Sequence, residues 1–163
     1  MKLSHLFKSV LTVTALSLVT SSVSAENIRL RFHTFFGSEM DTAAKHMQDT
    51  LREKSDNKIR MQYFRGGEIV SSDQFVEAVS RGTIDIAHGV GSYWPGQVDI
   101  GNIEAGLPGA WTSVEEAREV FEKLDPIIAE SYAEKGVVLI GRGYGSDYEL
   151  STKKPVASLE DLK

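Results

Sequence analysis

Two hydrophobic periodicities alternate along the first part of the chain. Apolar side chains occupy every second position over residues 28–32, which is the period of a half-buried β-strand. They then recur at helical spacing, which predicts a helix over residues 39–55 with Ser38 as its N-cap. The alternation returns over residues 59–63 and predicts a second strand. These three segments together form one βαβ unit.

The same order of elements then repeats. Ser71 and Gln74 have the spacing of a capping box, which predicts a short apolar helix that Gly82 ends. A third strand is predicted over residues 83–90. Because strands alternate with helices, the sequence predicts an α/β fold with a largely parallel sheet.

A longer helix is predicted after Ser113, which forms a second capping box with Glu116. Asp125 and Pro126 are expected to interrupt this helix, because proline lacks the N–H group that a helix interior requires. A second helical segment then runs to Lys135. Two further strands are predicted, over residues 137–140 and 148–152.

The composition narrows the class of protein. The 163 residues are 41% hydrophobic and 25% charged, which is enough apolar material for one buried core. Lys and Arg number 18 against 23 Asp and Glu, and no block of like charge stands out, so a nucleic-acid-binding surface is excluded. The absence of cysteine excludes disulfides, cysteine-ligated metal centres and thiol nucleophiles.

Residues 1–25 have the pattern of a secretory signal peptide. A basic start precedes a short apolar stretch, and small residues lead up to Ala25, so cleavage is expected between Ala25 and Glu26. A membrane anchor is the alternative, but the apolar stretch is shorter than the roughly 20 residues that span a bilayer. We therefore expect an exported chain that is not inserted in the membrane after cleavage.

Three loops follow the predicted strands and are expected to converge at one edge of the sheet, where ligands bind in open α/β folds. The first contains Phe35 and Phe36, which point to opposite sides if the chain is extended, so at most one reaches a cleft. The third contains Tyr93 and Trp94, whose rings suit a small polar ligand but equally suit core packing.

The second loop, residues 65–68, and the histidines carry weaker signals. Arg65 is interpreted as part of a solvated turn. For Glu68 two interpretations stay open: it belongs to the same solvated turn, or it orients a ligand. His33 and His88 are interpreted as structural histidines, because no second ligand stands at a metal-binding spacing. The glycine-rich residues 141–145 fail as a nucleotide loop, because a strand rather than a helix is predicted to follow.

Eight short motifs follow one another over essentially all of the chain after residue 25: residues 66–69, 75–79, 82–85, 92–94, 106–108, 135–137, 154–156 and 159–163. Their order and spacing resemble the DctP-type substrate-binding subunit of tripartite ATP-independent periplasmic (TRAP) transporters.

The resemblance implies a type II periplasmic-binding-protein fold, in which two α/β domains close on a ligand. It implies a signal peptide over residues 1–25, most of the first domain over residues 26–146, and the start of the second over residues 147–163. The substrate-contacting residues that we expect are Phe35, Gly67, Glu68, Tyr93, Trp94 and Asp147. Asp147 falls where related receptors place a polar contact to the ligand.

The function that the resemblance implies is that of a periplasmic receptor without enzymatic activity. It would capture a small organic acid, such as a 2-oxo acid, a 2-hydroxy acid or a dicarboxylate, and deliver it to the membrane subunits of a TRAP transporter. No cofactor is expected, and a cation that bridges the ligand is left open. The alternatives are a periplasmic enzyme on the same scaffold, with Glu68 or His88 as general acid, and a sensor subunit.

The end of the chain gives a further expectation. Ser158 is positioned to cap a helix, but only five residues follow it. In the family, the matching segment continues into a motif whose arginine pairs with the substrate carboxylate. We therefore expect an N-terminal fragment that is marginally folded by itself and does not bind small carboxylates tightly.

Overall fold

The computed structural model describes residues 27–107, 110–145 and 151–162, and these residues contain a parallel sheet of three strands. The strands are β1 (Ile28–Thr34), β2 (Ile59–Phe64) and β3 (Ile86–His88), in the order β2-β1-β3. β1 therefore lies in the centre of the sheet and its residues become more buried towards the carboxyl end. The predicted α/β fold with parallel pairing is confirmed.

The helix α1 (Asp41–Lys54) joins β1 to β2 and follows a 3₁₀ turn over Ser38–Met40. Its acidic first turn and basic last turn suit the helix dipole. The predicted cap is wrong, because the Ser38 side chain makes no capping hydrogen bond, and the Glu39 carboxylate instead accepts from the N–H of Gly37 at 3.0 Å. Asp56 and Asn57 then reverse the chain with positive φ angles of 51° and 63°.

The helix α2 (Phe75–Ser80) precedes β3, as predicted, and Gly82 follows it with a φ of 70°. Ser71 bonds the Gln74 side chain rather than the backbone, so the predicted capping box does not form. β3 is shorter than predicted, because the chain bends before it where the Asp85 carboxylate binds Arg31.

Beyond β3, the helix α3 (Gly101–Glu104) is one turn long, and α4 (Val114–Ala133) is the longest helix described. The N-cap of α4 is confirmed, because Ser113 Oγ accepts from the N–H of Glu116 at 3.1 Å, but the Glu116 carboxylate accepts from the N–H of Thr112 at 2.8 Å rather than from that of Ser113, so the capping box forms only in part. The predicted interruption at Pro126 is wrong, since the helix runs through it. Proline removes one backbone donor, whereas the buried face of α4 on either side of it packs into the core.

The predicted strand over residues 137–140 does not form within the part of the chain that the structure describes. Val137 and Leu139 pack against the core, whereas Val138 and Ile140 are 77% and 78% exposed. The alternation therefore reflects one-sided packing of an irregular segment rather than pairing in a sheet. Of the last predicted strand, residues 148–150 lie outside the described residues and residues 151–152 are irregular.

The buried core lies between α2, α4 and the loop after β3. Its members are Phe75, Val76, Ala78, Ile84, Trp94, Val98, Phe121, Ile128 and Tyr132. The final turn is a 3₁₀ helix over Leu159–Leu162, where the Asp161 carboxylate accepts hydrogen bonds from Ser158 and Ala157. No helix among the described residues is long and apolar enough to cross a membrane.

Two predictions concern other parts of the chain. The signal peptide over residues 1–25 and its cleavage point between Ala25 and Glu26 lie outside the described residues. The expected domain boundary at residues 146 and 147 falls in another such segment, residues 146–150.

Candidate functional site

A cavity of about 920 Å³ opens at the carboxyl end of the sheet. Its walls come from the loop after β1, the helix α2, the loop after β3, the end of α3 with the residues after it, one face of α4 and residues 137–145. Most of the side chains that line it are apolar or aromatic. A few polar groups stand among them, which is the composition expected of a site for a small organic ligand.

Phe35 and Phe36 both line this cavity, so the prediction that they point to opposite sides is wrong. Their ring centroids are 4.0 Å apart, and each lies within 6 Å of the His88 ring. The chain bends at Phe35, and the N–H of Phe36 donates to Thr34 Oγ1 at 3.3 Å. The bend replaces the extended conformation that the prediction assumed.

Tyr93 and Trp94 have different surroundings. Trp94 is 5% exposed, belongs to the core and lines the cavity, and its Nε1 donates to the hydroxyl of Tyr132 at 2.9 Å. Tyr93 is 39% exposed and lies edge-on to Phe35 with 5.1 Å between ring centroids. The sequence leaves both core packing and ligand contact open for this pair. Trp94 packs in the core and also lines the cavity, so its position fits both roles.

The loop over residues 65–68 lies away from the large cavity. Gly67, with a φ of 80°, borders a smaller recess of about 300 Å³, which Phe35 also lines. Glu68 is exposed and accepts a hydrogen bond from the backbone N–H of Arg65 at 2.9 Å. Arg65 forms an exposed ion pair with Asp41, which holds the pKa of that carboxyl group below its usual range. The loop is thus tied to the start of α1.

The two histidines differ in their surroundings. His33 is fully buried, its Nδ1 lies 2.9 Å from the carbonyl oxygen of Thr34, and its Nε2 accepts from the N–H of Ile69 at 3.2 Å. These bonds assign the Nδ1–H tautomer and agree with a structural role. His88 is only partly buried and lines the cavity, with its Nδ1 3.1 Å from Thr34 Oγ1. Burial lowers the pKa of His88, because the charged ring is poorly solvated there.

A polar network that the sequence interpretation missed lies in the cavity wall, where three of its four members line the cavity. Tyr132 donates to Glu104 Oε2 at 2.5 Å, and Arg142 NH1 lies 3.4 Å from Glu104 Oε1. Arg142 also donates to Asp125 Oδ1 through Nε at 3.1 Å and NH2 at 2.6 Å. Its guanidinium group stacks 4.1 Å from the ring centroid of Phe121. The four polar side chains come from α3, α4 and the segment after it, so no local motif joins them.

The network fixes the protonation of its phenol. Burial raises the pKa of Tyr132 far above its usual value, and the hydrogen bond to Glu104 adds to this effect. Tyr132 is therefore a donor at neutral pH, and Glu104 accepts from it. Only glycine fits beside this carboxylate, since a Cβ at Gly91 would lie 2.6 Å from Glu104 Oε2 and 2.5 Å from the carbonyl oxygen of Gly101.

Two expectations about site chemistry concern metals and Asp147. The described residues contain no group of three or more side chains that could hold a metal ion. Asp147 lies outside the described residues, so its predicted contact stays a prediction.

Comparison with known proteins gives one family and one fold. A family model described as "Bacterial extracellular solute-binding protein, family 7" (DctP) matches residues 37–163. A TRAP periplasmic solute-binding protein of Chromohalobacter salexigens with bound (S)-(+)-2-amino-1-propanol is similar, with a TM-score of 0.71 and 22% identity. A Bordetella pertussis extracytoplasmic solute receptor that binds pyroglutamic acid has a TM-score of 0.62 and 20% identity.

A third similar structure is a TRAP periplasmic solute-binding protein of a Sulfitobacter species with bound β-D-galacturonate, with a TM-score of 0.59 and 20% identity. The matches cover 83%, 83% and 69% of this chain, respectively. They cover 44%, 45% and 38% of the solved chains, so this chain spans less than half the length of those proteins. At such identities the likeness establishes the fold.

Proposed function

The chain belongs to family 7 of the bacterial extracellular solute-binding proteins, the DctP family, and on that premise we propose that the whole protein is a periplasmic receptor for a small organic acid. It delivers this ligand to the membrane subunits of a TRAP-type transporter. The predicted type II periplasmic-binding-protein fold is confirmed by the likeness to TRAP solute-binding proteins. The prediction of a receptor rather than an enzyme agrees with the family.

The observation that carries the proposal is the aromatic cavity of about 920 Å³ with the Glu104–Tyr132–Arg142 network in its wall. Its size suits a small organic molecule, and its polar groups are few and held in place by one another. Two of the similar structures hold acids, pyroglutamic acid and galacturonate, which supports an organic acid as the ligand class.

The catalytic alternative has little support from the two residues that it requires. Glu68 is exposed and bonded to its own turn, outside the cavity lining. His88 lies in the cavity wall, but its hydrogen bond goes to the hydroxyl of Thr34 rather than to a carboxylate that would orient a general base.

Phe35 and Trp94 are proposed as direct ligand contacts, because both line the cavity. Gly67, Glu68 and Tyr93 lie outside the cavity lining, and their contacts with ligand stay predictions. We further propose that residues 1–25 are removed on export, so that the periplasmic protein begins at Glu26 and has its first domain up to about residue 146.

The test is a thermal-shift screen of the full-length gene product with 2-oxo acids, 2-hydroxy acids and C4-dicarboxylates, followed by calorimetry on the acids that stabilise it. We expect Phe35→Ala to weaken binding about tenfold or more, because it removes an aromatic wall of the cavity. Ile127→Ala is the matched control, since Ile127 is 53% exposed on α4 and outside the cavity lining.

Trp94→Phe and Tyr93→Ala refine the result. Trp94→Phe keeps a ring in the wall but removes the donor to Tyr132, and Tyr93→Ala removes an aromatic ring outside the cavity lining. Wild-type affinity in Phe35→Ala and Trp94→Phe would place the ligand elsewhere. No stabilisation by any of the acids would contradict the proposed ligand class.

A further inference from the structure

The charged side chains of the cavity point to a more specific ligand. Among the described residues that line it, Glu104 carries a negative charge and Arg142 a positive one. Their side chains are only 13% and 11% exposed. Arg142 also pairs with a second carboxylate, that of Asp125. The network therefore contains two carboxylates and one guanidinium group, which is an excess of negative charge.

Arg142 is already engaged by groups of the protein. Two of its nitrogens donate to Asp125, and its guanidinium group stacks on Phe121. A ligand carboxylate that approaches Arg142 also meets Glu104, whose Oε1 lies 3.4 Å from Arg142 NH1. An anion without any positive charge is therefore poorly matched to this end of the cavity.

Glu104, in contrast, is available to a positively charged group of a ligand. Its Oε2 accepts the short hydrogen bond from Tyr132, whereas its Oε1 has, among the described residues, only the long contact to Arg142. A carboxylate oxygen of this kind accepts readily from an ammonium group. The chain from Trp94 Nε1 through the Tyr132 hydroxyl holds the carboxylate in one orientation.

The surrounding rings favour the same kind of group. Tyr132 donates to Glu104, and Trp94 donates to Tyr132; the two rings lie edge to face with 6.4 Å between their centroids. Both rings line the cavity. Aromatic faces beside a carboxylate are the chemistry that attracts protonated or quaternary amines.

We propose that Glu104 and the aromatic rings around it form an ammonium subsite, so that the ligand of this receptor is a zwitterion that carries an amino group besides its carboxylate. This inference rests on the proposed function and narrows its ligand class. The amino group of the ligand binds at Glu104, and its carboxylate occupies another part of the same cavity.

The test compares pairs of probes that differ in one group, using calorimetry on the full-length gene product. The pairs are alanine and lactate, and aspartate and malate, with glycine betaine and 2-aminopropanol as further probes. We expect the amino member of each pair to bind at least about tenfold more tightly than its hydroxy partner. This is the affinity ratio that one charge-assisted hydrogen bond provides. Glu104→Gln, which keeps an acceptor for Tyr132, should abolish that preference.

Glu122→Gln is the matched control, because it makes the same substitution at an exposed position of α4 outside the cavity lining. It should leave the ratio between amino and hydroxy ligands within about twofold of the wild type, because Glu104 keeps its charge. If both variants lose the preference for the amino ligand equally, the preference comes from net charge alone and the ammonium subsite is wrong.

The remaining outcomes separate the two proposals. If hydroxy and oxo acids bind as well as amino acids and Glu104→Gln leaves them equal, the ammonium subsite is wrong while the organic-acid receptor stands. If 2-aminopropanol binds and is lost in Glu104→Gln but no acid binds, the organic-acid proposal and the zwitterion are wrong. If no probe binds, both are wrong.

Discussion

The β1–α1–β2 unit and the cavity wall are stabilised in different ways. β1 and β2 pair in parallel from Ile28 and Ile59 onward, so backbone hydrogen bonds fix their register whatever the side chains are. The wall formed by α3, α4 and residues 137–145 has no such pairing among the described residues and depends on side chains, from Trp94 through Tyr132 and Glu104 to Arg142. Single side chains therefore matter most in the region that forms the candidate site.

The largest loss of stability is expected for a substitution at the contact between the two regions. Phe75 is 1% exposed and lies between His33 of β1 and Trp94 of the cavity wall, with ring centroids 4.8 and 6.3 Å away. Phe75→Ala should lower the free energy of unfolding by about 3–5 kcal/mol in chemical denaturation, because it leaves a void that both regions line.

Val138→Ala is the control for that measurement. Val138 is 77% exposed, so its truncation should change the free energy of unfolding by less than about 0.5 kcal/mol. If Phe75→Ala were as mild as this control, the two regions would not share a core at Phe75.

A smaller loss of stability is expected for a substitution within the cavity wall. Tyr132→Phe leaves the Trp94 N–H and the Glu104 carboxylate without their shared partner, which should cost about 1–3 kcal/mol of unfolding free energy. The same change in the β1–α1–β2 unit, Tyr63→Phe, removes a single long bond to the Gly37 carbonyl at 3.3 Å and should cost less.

The pH dependence gives an independent check on Tyr132. Its folded pKa is raised, so the folded state keeps a proton that the unfolded chain loses above pH 10 or so. The wild type should therefore lose stability as pH rises beyond that value, and Tyr132→Phe should lose less. Parallel melting curves against pH for the two proteins would contradict the buried phenol.

The smallest effect, and one of opposite sign, is expected at Pro126. This residue is exposed inside α4, where it supplies no N–H to the helix. Pro126→Ala should raise the free energy of unfolding by about 1–2 kcal/mol, since the gain in helix stability exceeds the loss of proline's rigidity in the unfolded chain. Pro95→Ala, in the turn after Trp94, should instead be neutral or destabilising. A destabilised Pro126→Ala would mean that the helix is adapted to proline there.

The contrast between the two regions also explains what the sequence could predict. The period-2 and period-3.6 patterns of residues 28–63 are local, so they correctly predicted β1, α1 and β2. The network of Glu104, Tyr132 and Arg142 joins residues 28 and 38 positions apart, and no spacing rule connects them. The same limit explains the error at Pro126, where tertiary packing of the helix outweighs a local signal.

The errors at Phe35 and at residues 137–140 have a related cause. Alternation tells which side chains share a face, but it does not tell whether the backbone is paired. At Phe35 a bend brings neighbouring rings together, and at Val137 and Leu139 alternate side chains reach the core without a strand.

The position of β1 in the middle of the sheet has a consequence for the order of folding. β1 precedes both of its neighbours in the chain and needs both of them, so its two edges stay unpaired until β2 and β3 dock. β2 is closer in sequence and closes the smaller loop, so we expect the β1–α1–β2 unit to form first, with the other edge of β1 unpaired until β3 docks. A variant that delays the docking of α2, such as Phe75→Ala, would prolong the exposure of that edge and favour aggregation of the folding intermediate.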